Sequence, residues 1–272
     1  MTTATLTRSE ARTAPGYGFR SAAQMEWLKL RSVRSTAWTS AVFAAGLIGL
    51  AILALGHLHW ASLSAADRAS FDPVELGFAG LAIGQLAFGV LGALVITSEF
   101  SSGMIRATLA AVPRRPLLLA AKAAVLGAVT LAFGEVLAFG AFAAGEAVLR
   151  SPAPHAALGQ PGVLRAVLMA GAYPALIALI ALGLGAVIRH TAGAISAVVG
   201  ILFVLPLILL PLSTSIQNSV GQFMPMLIAE NSLTAVKPVA HSLAPGAGLA
   251  VLGGYAVIAL AAGGWALARR DA

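Results

Sequence analysis

Glu135 is the residue of this chain whose surroundings say most about its chemistry. It lies deep in an apolar stretch from Leu117 to Leu149, which otherwise holds only Lys122 near one end and Glu146 further along. An uncompensated charge at bilayer depth costs on the order of 2.5–3.5 kcal/mol or more. The carboxyl is therefore expected to be protonated, paired, or turned towards a watery cavity. Two roles fit that position: a proton-handling or substrate-pathway group, and a structural hydrogen bond to a neighbouring helix. Glu146 reads as interfacial.

The other candidates for chemistry are weaker. The lysines Lys29, Lys122 and Lys237 all lie outside Gly-rich turns, and no G-x-x-x-x-G-K-[ST] loop occurs. Without backbone N–H groups to cradle phosphates, the chain is not expected to hydrolyse ATP by itself. No H-E-x-x-H sets two imidazoles on one helix face, and His57 and His59 read as solvated or interfacial residues. With no cysteine, disulfides and thiolate metal sites are excluded. No nucleophile or acid motif of an intramembrane protease appears. The expectation is a non-enzyme with no catalytic residue, no metal and no cofactor of its own.

The elements that position these residues are membrane spans. Among 272 residues, 59% are hydrophobic and only 10% charged, with mean hydropathy +0.90. A soluble domain carries about a quarter charged residues; here the charges are too few to cover a water-facing surface, so lipid is part of the solvent. Stretches of ~20 apolar residues suffice to cross the hydrocarbon core. Six are predicted: Ala37–Gly56, Leu76–Ser98, Ala123–Phe142, Val167–Ile188, Gly193–Leu212 and Gly248–Ala268. Pro206 and Pro211 are expected to kink the fifth. Gly80 and Gly84 form a G-x-x-x-G, a weak signal for close helix packing. The fold class is all-α and integral to the membrane, with a six-helix domain over residues 36–268.

Orientation follows from the basic residues. With the N-terminus inside, thirteen Lys and Arg fall on the cytoplasmic side and four (Arg68, Arg150, Arg165, Lys237) on the other. That bias predicts both termini inside. It also explains a net charge of +7 without nucleic acid as a partner. Residues 1–35 read as a cytoplasmic arm and 269–272 as a cytoplasmic tail. Residues 213–247 form an external segment whose short apolar run, Phe223–Ile228, is broken by Pro225 and reads as interfacial or re-entrant.

The cytoplasmic loop 99–122 reads EFSSGMIRATLAAVPRRPLLLAAK. Met104, Ile105, Thr108, Leu109 and Val112 share one helical face. Ser102 is predicted as N-cap and Pro113 as the stop. The periodicity allows a helix lying on lipid with Arg114 and Arg115 at the headgroups. It equally allows a helix whose apolar face enters a groove on a soluble partner.

The order of these features resembles the ABC-2 type permeases, membrane subunits of bacterial ABC exporters. The likeness is carried by Glu26-Trp27-Leu28-Lys29-Leu30-Arg31-Ser32-Val33-Arg34-Ser35 before the first span, similar to actinobacterial members. It is carried also by Glu99 with Gly103, Arg106, Thr108, Leu109, Pro113, Arg115 and Lys122 after the second. The family commonly has Gly-Thr where this chain has Gly103-Met104. The resemblance implies that the loop holds a coupling helix seated on a separate ATPase subunit, with Glu99, Met104, Ile105, Arg106, Thr108, Leu109, Arg114 and Arg115 as coupling residues. It implies that Ser21–Arg34 is a connector helix near the same ATPase, although Leu30 and Trp27 share a sector with Arg34. It further implies a homodimer or a heterodimer with a similar permease, ATP consumed only by the partner subunit, and export across the bacterial plasma membrane. The competing classes are a proton-coupled secondary transporter working through Glu135 and a non-transporting membrane anchor or sensor subunit. Paired halves with broken helices, common in secondary transporters, are not seen in the sequence.

Overall fold

The computed structural model describes residues 18–32, 34–235 and 242–269. The rest of the predicted N-terminal arm, Lys237 and the last three residues lie outside the described residues. In chain order the helices are α1 (Phe19–Ser32), α2 (Arg34–Gly56), α3 (Ala65–Ser70), α4 (Pro73–Gly77), α5 (Leu81–Ser101), α6 (Met104–Ala111), α7 (Arg115–Val148), α8 (Val163–Ile188), α9 (Thr191–Val199), α10 (Leu205–Leu209), α11 (Thr214–Gly221), α12 (Pro225–Leu233) and α13 (Pro245–Arg269). Among the described residues, six stretches are long and apolar enough to span: Ala37–Gly56, Leu81–Ser101, Arg115–Val148, Val163–Ile188, Thr191–Leu209 and Pro245–Arg269.

Helix α8 occupies the middle and packs on α5, α7 and α13; α2 packs on α5 and α7, and α9 on α5 and α8. Small residues let the backbones meet. A Cβ at Gly92 of α5 would lie 2.1 Å from the carbonyl oxygen of Ala178 in α8, and one at Gly183 would lie 2.4 Å from the carbonyl carbon of Ala259 in α13. The G-x-x-x-G pair has a target too, since Gly80 abuts the backbone of Gly46 and Gly84 the ring of Phe43.

The second, third and fifth spans depart from the sequence expectation in ways that have a local cause. The second span begins at Leu81 because Asp72 caps α4, accepting from the N–H groups of Val74 and Glu75 at 2.9 and 3.3 Å, and Phe78 ends it. The third is 34 residues long, about 51 Å at 1.5 Å per residue, so it overshoots a 30 Å core and takes in both Lys122 and Glu146. In the fifth, the residues before Pro206 form a π-helical stretch, Gly200–Val204, in which the Leu205 N–H reaches the Gly200 carbonyl. The wider turn accommodates a proline that has no N–H to give.

Candidate functional site

The site is built where α5 ends and α7 begins. Four ionisable side chains from three helices converge there. The Lys122 ammonium on α7 donates to Glu26 on α1 at 2.7 Å and to Glu99 on α5 at 2.6 Å. Lys29 on α1 donates to the same Glu99 oxygen at 2.8 Å and to Glu26 at 3.1 Å. Among these four side chains the formal charges cancel. The Lys122 side chain is fully buried, and those of Glu26 and Glu99 nearly so. An isolated buried ion costs several kcal/mol, and the attraction between partners offsets this only when hydrogen bonding is good. The distances satisfy that condition. The second oxygen of Glu99 is buried without a hydrogen bond.

Lys29 sits at the edge of the cluster, where burial alone would lower its pKa. The hydrogen bond to Glu99 and the charges of Glu26 and Glu99 outweigh burial and raise it above its ordinary value.

Helix α6 is tied to this cluster. Thr108 presents its hydroxyl oxygen 3.4 Å from the Lys29 ammonium. Ile105 and Val112 are buried with Ala22 of α1 and with Leu118 and Ala121 of α7, and Leu109 packs half-buried against the same group. The chain enters α6 through Gly103 at φ +71°, a left-handed conformation that costs other L-residues roughly 1–2 kcal/mol. Ser102 does not cap α6; its hydroxyl donates back to Ser98 in the last turn of α5.

The residues of the predicted coupling loop therefore divide. Glu99 and Thr108 join the charged cluster. Ile105 and Leu109 face the chain's own α1 and α7, so the apolar face already has an occupant. Met104, Arg106, Ala107, Ala110, Ala111 and Arg114 are exposed and form the outer face of α6 with its exit. Arg115 donates to the Leu267 carbonyl of α13 at 2.7 Å, and Arg189 donates to that of Ala266 at 3.0 Å. Lys29, Lys122, Arg115 and Arg189 thus gather at one end of the bundle, whereas Arg165 donates at the other end to Thr234.

The cluster as a unit is what sequence reasoning missed. Its signal was present in Lys122. Every residue within a helical turn of it on its own face (Leu118, Leu119, Val125, Leu126) is apolar, so its counter-charges must come from other segments. The inward face of α1 is likewise interrupted by charge. Its inward stripe is Ala22, Glu26 and Leu30, with a carboxylate in the middle.

Glu135 is elsewhere. Its carboxyl lies over Gly171 of α8, where a Cβ would come within 2.5 Å of it, and one oxygen is buried without a hydrogen bond. Among the described residues it has no ion-pair partner. Glu146 sits at the end of α7 remote from Lys122, 3.0 Å from His155.

Residues 22–206 match a protein family described as ABC-2 family transporter protein. The match runs from α1 through the charged cluster and α6 to the proline of α10. A search of curated proteins finds no match.

Proposed function

The chain belongs to the ABC-2 family of transporter proteins, a membrane transport component and not itself catalytic, and from this premise we propose that it is the permease subunit of an ATP-driven exporter. A separate ATPase subunit docks on the outer face of α6. Both termini, α1 and α6 lie in the cytoplasm, and α1 serves as the connector helix. Two such permeases, identical or similar, complete the pathway in the bacterial plasma membrane, in contact with lipid.

One observation carries the reading. Helix α6 lies outside the spans yet is fastened to α1, α5 and α7 through Thr108, Lys29, Glu99 and Lys122 and through the Ile105 seat. A helix lying loosely on lipid needs no such fastening, whereas a helix that receives a push from a partner must pass it to the spans. Glu99 and Thr108 act as transmitting residues in this reading. Ile105 and Leu109 seat the helix, and Met104, Arg106 and Arg114 meet the ATPase. Arg115 locks the start of α7 to α13.

The test is copurification of the ATPase from the native membrane with wild type and with Ala107→Glu/Ala110→Glu at equal permease levels. Two carboxylates in a protein interface cost a few kcal/mol, so recovery should fall roughly a hundredfold. Undiminished recovery would remove the docking role of this face. Uptake into inverted vesicles that survives ATP depletion but is lost in Glu135→Gln would transfer the case to a proton-coupled carrier.

A further inference from the structure

At the end of the bundle opposite the charged cluster, a cavity of about 390 Å³ opens between α4, the start of α5, α8 and α12. Its size falls within the range of pockets that take drug-sized molecules. The walls are mostly apolar and aromatic, with Phe71, Phe78 and Met226 among them. Buried Gln85 and Tyr173 also line it and satisfy each other, the phenol donating to the amide oxygen. Glu75 and Glu230 line it as well, and both are exposed.

We propose that this cavity binds a hydrophobic organic cation, its apolar body among the rings and its charge held by Glu75 and Glu230. The electrostatics are one-sided. Among the described residues no Lys, Arg or His lines the cavity, and neither carboxylate has a hydrogen bond or ion pair. The third acid, Asp72, is occupied in capping α4 and in accepting the Ala235 N–H at 2.6 Å. Partial burial against these walls raises the pKa of Glu75, with further contributions from Asp72 and Glu230, and raises that of Glu230. A cation at the mouth relieves both the repulsion and the lost hydration. A bare metal ion is a poor match, because it would leave the apolar walls without an occupant and has no set of converging oxygens to replace its water. The inference goes beyond the permease reading, since binding to this chain requires no ATPase.

The experiment uses the full chain purified into nanodiscs of zwitterionic lipid, with radiolabelled tetraphenylphosphonium as probe. Tetraphenylborate, of the same shape and opposite charge, is the control. The expected result is saturable binding of the cation near one per chain, without matching binding of the anion. Glu75→Gln/Glu230→Gln should weaken binding tenfold or more, and Ala79→Trp, which fills the cavity from an exposed lining position, should abolish it. Monodisperse elution and unchanged helicity check that these variants fold, and the single Glu230→Gln variant reports on the charge if the double does not. Binding within twofold of wild type in the charge-removed variants, equal binding of the borate, or no saturable binding to wild type would each overturn the proposal.

Discussion

The ammonium of Lys122 lies 2.6 Å from the carboxylate of Glu99, and neither side chain is open to solvent. Glu99 lies in the last turn of the second span and Lys122 two turns into the third, with α6 strung between them. Closing that pair fixes both ends of the segment that carries α6. Removing one charge leaves the others buried and uncompensated, a change that typically costs about 3–5 kcal/mol. Lys122→Met is therefore expected to lower the apparent Tm of the purified protein sharply. Adding Glu99→Gln should recover part of the loss, because the second substitution removes the charge that the first stranded. Additive losses in scans at a fixed rate would show that the two do not act as a pair.

Lys29 supplies a pH signature. Its folded pKa is raised above 10.5, so the folded state holds this proton more tightly than the unfolded chain. The stabilisation is fully present below the unfolded value and disappears as pH rises through the folded one. The Tm difference between wild type and Lys29→Met should accordingly stay level from neutral pH to about pH 10 and shrink above it. A difference that vanishes between pH 7 and 9 would contradict the raised pKa.

The inward and outward faces of α6 should respond differently to substitution. Leu109→Asp places a carboxylate against the Ile105 cluster and is expected to lower thermal stability by a few kcal/mol. Ala110→Glu on the exposed face should leave Tm within a degree or two of wild type and act only on partner recovery. Equal destabilisation by both would mean that the outer face is also packed.

At the centre of the bundle, Gly92→Ala meets the Ala178 carbonyl at 2.1 Å. Overpacking of this kind costs about 1–3 kcal/mol or more. Gly253→Ala has nothing within 4 Å and gains roughly 1 kcal/mol of helix propensity. The two substitutions are chemically identical, so opposite signs in expression level and Tm isolate the close approach of α5 to α8.

Topology can be read directly, because the chain has no cysteine. A cysteine at Ser215 should be labelled by an impermeant maleimide from outside intact cells, and one at Ser102 only after the membrane is opened. Both positions are exposed in the structure, so accessibility within the protein does not confound the comparison. Labelling of Ser102→Cys from outside would reverse the orientation.

The spans were legible because lipid imposes long charge-free runs that few other environments demand, and the break at Pro113 marked the end of α6 cleanly. The direction of the α6 face was not legible. Periodicity identifies Ile105, Thr108 and Leu109 as one face but carries no information on whether the chain's own α1 or a partner covers it. The capping of α6 was misread at Ser102 because its hydroxyl has a nearer acceptor in the turn that precedes it. The charged cluster was hidden by sequence distance, since Glu26 and Lys122 are 96 positions apart and only the fold brings them together.

The length of α7 has a mechanical consequence. The helix crosses α8 with Gly134 against the Gly171 carbonyl. Lys122 and Glu146 each lie twelve residues from that crossing, roughly 18 Å to either side. Rocking about that contact would act as a see-saw, opposed by the packing of α7 on α1, α2 and α13. A tilt of about 5° there moves the Lys122 end by roughly 1.6 Å and the Glu146 end by the same amount in the opposite sense. A shift of that size directly away from Glu99 would stretch the 2.6 Å contact past salt-bridge range, so the ion cluster resists rocking in that sense.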